Sequence, residues 1–292
     1  MIIALTLFAL AYIGIISEKF PRHLVALAGG ALLILFGVLS PIEALGYINW
    51  ETLGLLAGMF VLVSILHESG FFAWLAMTSV RKVNYHPSYL FAALLLLAAG
   101  LAMFMDSITV MLFLAALTLP LCKLLKVDPV TFIIAEVCAA NTGGSATLVG
   151  DPPNVILGTT LGFNFGDFAA HTGPISALAA LALLGVFYWR NRQALRDAHK
   201  LLTPQTIQEI ENIQRDPLHA RMTRIGLVAF ATAVVLLVTH HWLAELSGLA
   251  ISAAVAALVP AALALLLLPG GERKSVILRV DGQSIVFFAG LF

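Results

Sequence analysis

The stretch AEVCAANTGGSATLVGDPPN, residues 135–154, decides the fold, because apolar residues give way within it to glycines, prolines and polar side chains. The apolar residues 129–140 before this change are too few to cross a bilayer, and a second apolar piece follows at 155–165. Hydrocarbon does not tolerate backbone groups without hydrogen-bond partners. We therefore predict a broken helix over 129–165 whose loop, 141–154, is non-helical and lines a polar cavity. The alternative is an ordinary turn outside the membrane.

The rest of the chain is strongly apolar. Its 292 residues are 60% hydrophobic and 11% charged, and the mean hydropathy is +0.98. Apolar runs lie at residues 2–16, 24–39, 53–67, 88–105, 108–122, 174–189, 225–241 and 246–268. Several approach the roughly 20 residues that span a bilayer, and they lack the alternation of a barrel strand. These features predict an all-α polytopic membrane protein, with the lipid bilayer as its first partner.

The positions of the positive charges predict the orientation. The sixteen cations form five clusters, which are Lys19 and Arg22; Arg81 and Lys82; Lys123 and Lys126; the run from Arg190 to Arg224; and Arg273, Lys274 and Arg279. If the connector 190–224 is cytoplasmic, all five clusters fall on that side. We therefore expect an inner-membrane protein with its N-terminus outside. Because this connector mixes cations with acids, we expect a solvated segment and no nucleic-acid partner.

An internal similarity predicts a duplication. Sliding the sequence by 232 residues sets residues 49–60 against 281–292, and three residues recur identically: Ala57, Gly58 and Phe60 as Ala289, Gly290 and Phe292. By the charge pattern the two copies enter the membrane from opposite sides, as in inverted-repeat transporters. The expected division is a first repeat at 1–189, the connector 190–224, and an incomplete second repeat at 225–292. A homodimer, or a partner that supplies the rest of the second repeat, is expected.

A hairpin is predicted at 88–122, where two apolar arms meet at an acid and two hydroxyls. It either re-enters the membrane or crosses it twice. A carboxylate at depth costs about 2.5–3.5 kcal/mol unless it is paired, hydrated or neutral, so Asp106 is a functional candidate. The alternative is a tip in outside water, where Asp106 caps the helix that begins at Ser107. Glu136, five residues before the predicted loop, is either a proton carrier or a structural acid bonded to a neighbouring helix.

The predicted loop offers ligands of two kinds. Its free carbonyls, with Asn141, Thr142, Ser145 and Thr147, are the hard oxygen ligands that suit sodium. The half-helix that follows, which Asn154 can cap, is expected to present N–H groups to an anion. No cofactor is expected; the coupling ion is Na+ or H+, and the substrate a small anion.

Residues 135–154 resemble the broken-helix signature of the ion transporter superfamily, which includes arsenite-efflux permeases, P proteins and sodium-coupled di- and tricarboxylate symporters, and so has citrate transporter-like members. The hairpin sequence DSITV at 106–110 is similar to the Asp-Asn-Val-Thr-Thr motif of the P-protein branch, or to the Ser-Asn-Thr motif of the carboxylate symporters. The resemblance implies a transporter with one hairpin tip and one broken-helix loop in each repeat. It also implies a substrate held between the repeats.

The resemblance further implies an ion site. The residues implied around it are Asp106, Ser107, Thr109, Asn141, Thr142, Gly143 and Gly144, with Ser145, Thr147, Asp151 and Asn154 as further binding candidates and sodium at Ser107, Asn141 and Gly143. Two departures from the superfamily pattern weaken the expectation of cation coupling: Ser107 replaces the usual Asn, and Ala116 stands where a Pro commonly follows the hairpin motif. Asp151 in place of the symporters' Thr favours the arsenite-permease and P-protein branch.

The expected function is secondary active transport of an inorganic or carboxylate anion, or exchange of Na+ for H+, driven by a sodium or proton gradient. The first alternative is a passive channel or a non-transporting fragment. The second is an intramembrane enzyme. Against the enzyme, the pair His67-Glu68 is followed by Phe71 where a zinc protease would place its second histidine, and the chain contains neither a nucleophile-elbow motif nor a Walker A motif.

Overall fold

The computed structural model describes residues 2–213, 218–248 and 251–292, apart from the side chains of 241 and 244–247. These residues form fifteen helices and no strand. The helices are α1 (Ile2–Ile16), α2 (Arg22–Leu35), α3 (Pro41–Tyr47), α4 (Trp50–Glu68), α5 (Phe71–Lys82), α6 (Pro87–Ala102), α7 (Ser107–Leu124), α8 (Pro129–Gly144), α9 (Pro152–Leu161), α10 (Phe165–His199), α11 (Pro204–Asn212), α12 (Ala220–Ser247), α13 (Ala253–Leu267), α14 (Gly270–Arg279) and α15 (Gly282–Leu291). Among them, α4, α7, α10 and α12 contain stretches long and apolar enough to cross a bilayer. The predicted all-α polytopic membrane fold is confirmed.

Helix α10 corrects two expectations drawn from hydropathy. Hydropathy predicts a linker at 166–173, between the broken helix and the apolar run 174–189, but these residues are helical because α10 begins at Phe165 behind a capping box of Asn164 and Asp167. The helix also continues to His199, inside the expected solvated connector. Leu195, at 0% exposure, is packed into the interior there. Hydropathy detects the lipid-facing part of a helix. It misses the polar turns by which capping residues extend the helix beyond that part.

The helices pack around two main cores. The first is formed chiefly by α5, α6, α7 and α8, together with parts of α10 and α11. The second joins α4, α12, α13 and α15 to α9 and to Leu148 and Val149, which lie just before α9. The broken helix therefore bridges the cores, since α8 belongs to the first core, whereas α9 and the residues preceding it pack on the second.

Glycines bring two pairs of helices into close backbone contact. A Cβ at Gly58 of α4 would lie 2.6 Å from the carbonyl carbon of Ala257 in α13, and one at Gly290 of α15 would lie 2.8 Å from that of Ala26 in α2. Small residues at such contacts are how membrane helices gain van der Waals packing. Gly54 faces Ala254 one turn before Gly58 faces Ala257, so α4 and α13 run in the same direction.

The starts of α4 and α15 have the same local structure, at the offset of 232 residues that the sequence comparison gave. Asn49 caps α4 by accepting a hydrogen bond from the Thr52 N–H at 3.0 Å, and Asp281 caps α15 by accepting one from the Ser284 N–H at 3.0 Å. The φ and ψ angles of the two caps are −79° and 89° for Asn49, and −72° and 75° for Asp281. Each cap follows a short helix, α3 or α14. The contact glycines Gly58 and Gly290 are separated by the same offset.

Candidate functional site

The broken helix is interrupted over residues 145–151, which we call the interrupted loop. Helix α8 ends at Gly144 and α9 begins at Pro152. The break is confirmed, but the predicted non-helical range 141–154 is wrong at both ends. Asn141 to Gly144 complete the last turn of α8, because glycines are tolerated at the end of a helix. Pro152 and Pro153 open α9, because proline is favoured in a first helical turn, where its missing N–H is no loss.

The hairpin tip, residues 103–106, joins α6 to α7. Asp106 is the N-cap of α7, since its carboxylate accepts hydrogen bonds from the backbone N–H of Thr109, at 3.0 Å, and from the Thr109 hydroxyl. The capping role that the sequence left as an alternative is therefore present. Each carboxyl oxygen accepts one hydrogen bond in this cap and has a further lone pair, so the cap does not exclude a binding role for Asp106.

The interrupted loop is bonded to the hairpin tip at two points. The Ser107 hydroxyl donates to Asp151 Oδ1 at 2.9 Å. The hydroxyl of Thr147, a buried residue, donates to the backbone carbonyl of Met103. Two segments 44 residues apart in sequence thus form one polar assembly.

The loop is also braced internally. Asn154 Nδ2 donates to the carbonyls of Gly144, at 3.0 Å, and Thr147, at 2.9 Å, and so ties the end of α8 to the start of α9. A Cβ at Gly144 would lie 2.2 Å from Asp151 Oδ2, and one at Gly143 would lie 2.0 Å from the carbonyl oxygen of Ala99 in α6. Gly144 thus leaves room for the carboxylate, and Gly143 lets α8 touch the hairpin.

Four other predicted site residues form no hydrogen bond with the hairpin tip. Asn141 is exposed, and its side chain makes no hydrogen bond within the described part of the chain. The Thr142 hydroxyl donates to the Cys138 carbonyl of its own helix, and Ser145 pairs with Ser176 of α10 at 3.0 Å. The Gly143 carbonyl accepts from the N–H of Ala146 at 2.9 Å. Of the three expected sodium ligands, Ser107 alone joins the hairpin to the loop, and the full ligand set stays a prediction.

The start of α9 offers few N–H groups to an anion, contrary to the expectation for a half-helix. Pro152 and Pro153 have no N–H, and the N–H of Asn154 donates to the Asp151 carbonyl at 3.0 Å. The orphan donors that make helix N-termini attractive to anions are therefore absent or used in this first turn.

A small open cleft, about 60 Å³ in volume, lies beside the hairpin tip and is lined by α4, the interrupted loop and the junction of α14 with α15. Asp106 and Thr109 form part of one wall, and His67, Arg279 and Asp281 line it as well. Arg279 forms an ion pair with Glu68 and contacts His67 Nδ1 at 2.8 Å. Sequence reasoning missed this contact, because Arg279 and His67 are 212 positions apart in sequence.

The polar assembly is rich in oxygen and poor in positive charge. Asp106 and Asp151 lie on either side of Ser107, and within the described residues no lysine or arginine forms an ion pair with either acid. Carboxylate, hydroxyl and carbonyl oxygens are ligands that suit hard cations. The local electrostatics therefore favour a cation over an anion at this point, all the more strongly where the surroundings exclude water.

Comparison with known proteins identifies the family of the chain. The family described as "Citrate transporter" matches residues 12–292. The chain belongs to this family of membrane transporters. The resemblance to ion transporter superfamily permeases is confirmed, and the family indicates a transporter rather than an enzyme.

The chain is similar in sequence to relatives from bacteria and from human. The chain is 32% identical over 295 residues to an uncharacterized transporter of Mycobacterium tuberculosis, over all of this chain and 66% of that protein. It is 32% identical over 247 residues to the human P protein, over 77% of this chain and 30% of that protein. It is 31% identical over 283 residues to the magnetosome protein MamN of Magnetospirillum gryphiswaldense, over 92% of this chain and 61% of that protein. The chain thus spans about two thirds of the length of its mycobacterial relative.

Proposed function

We propose that this protein is a secondary active transporter that moves a small inorganic or carboxylate anion across the inner membrane, driven by a sodium or proton gradient. The observation that carries the proposal is the hydrogen bond from Ser107 to Asp151, which joins the hairpin tip to the interrupted loop. Non-helical backbone at membrane depth occurs where it lines a cavity or a binding site. The interrupted loop meets that condition, since Val149 and Gly150 line the cleft beside the hairpin tip.

The coupling cation is proposed to bind at the polar assembly of Asp106, Ser107 and Asp151. Two carboxylates around one hydroxyl create a site of negative potential, which a monovalent cation neutralises. Asn141, exposed one turn before Gly144, has an amide oxygen available to complete the ligand set when the ion binds. Sodium is the preferred ion at this site because all of these ligands are oxygens.

The anion is proposed to bind in the cleft beside this assembly. The basic groups that line the cleft are Arg279 and His67, whereas the start of α9 offers little to an anion. A cation bound near Asp106 would lower the cost of placing negative charge in the same cleft. Because the family is described as a citrate transporter family, citrate is the first trial substrate, followed by arsenite.

The movement is proposed to separate the two cores. The hairpin and α8 belong to the first core, the inverted pair α4 and α15 belong to the second, and the cleft lies between them. Residues 1–189 and 225–292 are proposed as inverted repeats joined by a cytoplasmic connector, with the N-terminus outside. A homodimer, or an assembly with a partner chain, is proposed.

Uptake into liposomes tests the proposal. Reconstituted as the homodimer or with its partner chain under an imposed sodium or proton gradient, the protein should take up citrate or arsenite saturably, and Ser107→Ala or Asp151→Asn should lower the initial rate about tenfold or more, a loss of roughly 1.4 kcal/mol or more. Thr232→Ala is the matched control, because this hydroxyl is exposed on α12 and bonds only the Val228 carbonyl of its own helix. Uptake at the same rate with and without an imposed gradient would favour the passive channel. If neither gradient changes the rate of uptake, and neither sodium nor pH changes the melting temperature, the proposal is wrong.

A further inference from the structure

One acidic side chain lies outside the assembly described above and is almost completely buried. Glu136 of α8 is 1% exposed. Its Oε1 lies 2.6 Å from the hydroxyl oxygen of Thr118 in α7. Its Oε2 is buried and has no hydrogen-bond partner among the described residues. Among the described residues, the Thr118 hydroxyl is thus the one hydrogen-bond partner of this carboxyl group, and it bonds a single oxygen.

The helices around Glu136 provide no balancing positive charge. Helix α8 packs against α6, α7 and α10. The ionisable side chains of α6 and α7 are Tyr89, which is exposed, Cys122, which is buried, and Lys123, which is exposed at the end of α7. Helix α10 has no ionisable residue between His171 and Tyr188. On α8 itself the nearest ionisable side chain is Cys138.

An ionised carboxylate in these surroundings would be a buried charge with one donor and no counterion. Such groups normally bind a proton, because a neutral carboxyl group loses far less on leaving water. We propose that Glu136 is a membrane-embedded proton site, held as a neutral carboxylic acid against Thr118. The proton comes from water and returns to it. With the proton on Oε1, Glu136 donates to Thr118 Oγ1 and leaves Oε2 as an uncharged carbonyl oxygen.

The position of Glu136 links this proton to the hairpin and the broken helix. Glu136 lies eight residues before Gly144, or about 12 Å along α8, and Thr118 lies eleven residues after Ser107, or about 16 Å along α7. The proton site is therefore separate from the Ser107–Asp151 assembly, but it lies between α7, which begins at Ser107, and α8, which leads into the interrupted loop. Loss of the proton leaves a buried charge, which water reaches only if α7 and α8 move apart. The use of this proton for coupling rests on the proposed function, whereas the protonation itself does not.

Infrared spectroscopy of the purified chain in lipid tests the site. A carbonyl stretch of a protonated carboxylic acid should be present at about pH 7, where a free Glu, with an ordinary pKa of about 4.3, is ionised. Glu136→Gln should remove this band, and Thr118→Val should shift its frequency because the hydrogen bond is lost. Asp128→Asn is the matched control: Asp128 caps the exposed start of the same helix, and its replacement should leave the band unchanged.

Three results would overturn the proton site: no acid band at about pH 7, a band that persists in Glu136→Gln, or a band removed by Asp106→Asn or Asp151→Asn instead. Folding of Glu136→Gln is checked by its helical circular dichroism and its melting temperature, which should stay near those of the unchanged protein because the amide is neutral and of equal size. Uptake separates the two proposals. If Glu136→Gln removes the band but proton-driven uptake is unchanged, the coupling role of Glu136 is wrong while the transporter proposal stands.

Discussion

At the scale of single residues, the sequence identified the polar groups of the site but not their partners. Asp106, Ser107 and Asp151 stand out in sequence because acids and hydroxyls are rare within apolar runs, and the structure brings Ser107 and Asp151 together. The contact between Thr118 and Glu136 joins residues 18 positions apart on different helices. Such a pairing depends on how two helices are rotated against each other, which local sequence does not determine.

Gly143→Ala should destabilise the protein. Its new methyl group would lie 2.0 Å from the carbonyl oxygen of Ala99, a backbone atom that cannot rotate away. We expect a loss of about 1–3 kcal/mol in the free energy of unfolding. Gly100→Ala is the control, since it also lies in a helix and its methyl group meets nothing within 4 Å. Thermal denaturation in detergent measures both variants, and equal melting temperatures would contradict the close contact of α8 with α6.

Asp128 should make stability depend on acid pH. Hydrogen bonds from the Thr131 hydroxyl and the Val130 N–H hold the pKa of this exposed carboxyl below its ordinary value. Its stabilising effect is therefore complete above the pKa of the unfolded chain, about 3.9, and is lost as the pH falls through the lower pKa of the folded state. Melting temperatures of the unchanged protein and Asp128→Asn should converge as the pH is lowered through this range. A constant difference between them would show that the cap does not titrate in this way.

At the scale of elements, the existence of the broken helix could be predicted, but not its ends. The content of glycine and proline in 141–154 indicated a break, yet glycine is also a good last residue of a helix and proline a good first one, so the break contracts to 145–151. The start of α10 was missed for a related reason, because its capping box at Asn164 and Asp167 lies in a polar stretch that hydropathy excludes. Helices were thus recognised by their apolar parts, and their caps set the true boundaries.

Asn154→Ala should loosen the interrupted loop. Removal of the amide leaves the carbonyls of Gly144 and Thr147 without their donor, at a cost of about 1–3 kcal/mol. Asn191→Ala is the control, since Asn191 donates only to the Phe187 carbonyl of its own helix at 2.8 Å. The difference should appear as a lower melting temperature for Asn154→Ala and as faster hydrogen exchange confined to 145–154. Equal exchange in the two variants would mean that Asn154 does not brace the loop.

At the scale of the whole molecule, the internal similarity detected in sequence corresponds to matching structure. The caps at Asn49 and Asp281 have similar backbone angles. Gly58 packs closely against α13, and Gly290, at the matching position, packs closely against α2. The division into two cores was not predictable, because the second core combines α4 and α9 with α12, α13 and α15 from the far end of the chain. Contacts between distant segments leave no local signal in the sequence. The orientation can be predicted from sequence alone, because it depends on which loops carry the positive charges.

Cysteine labelling tests that orientation. In a background without Cys122 and Cys138, Gln205→Cys on α11 should be reached by an impermeant reagent only after the cells are opened, and Gly46→Cys on α3 should be reached in intact cells. Both positions are exposed in the structure, so accessibility reports the side of the membrane rather than burial. Labelling of Gln205→Cys in intact cells would reverse the orientation.

The central claim is that the hairpin tip and the interrupted loop form one cation site, and sodium binding across a double-mutant cycle tests it most directly. Sodium affinity is measured for the purified chain, for Ser107→Ala, for Asp151→Asn and for the double variant. Each single change should weaken binding about tenfold or more, and the double change should cost less than the sum of the two, with a coupling of roughly 0.5–3 kcal/mol. Sodium binding that is absent, unchanged in all three variants, or reduced by strictly additive amounts would contradict the claim.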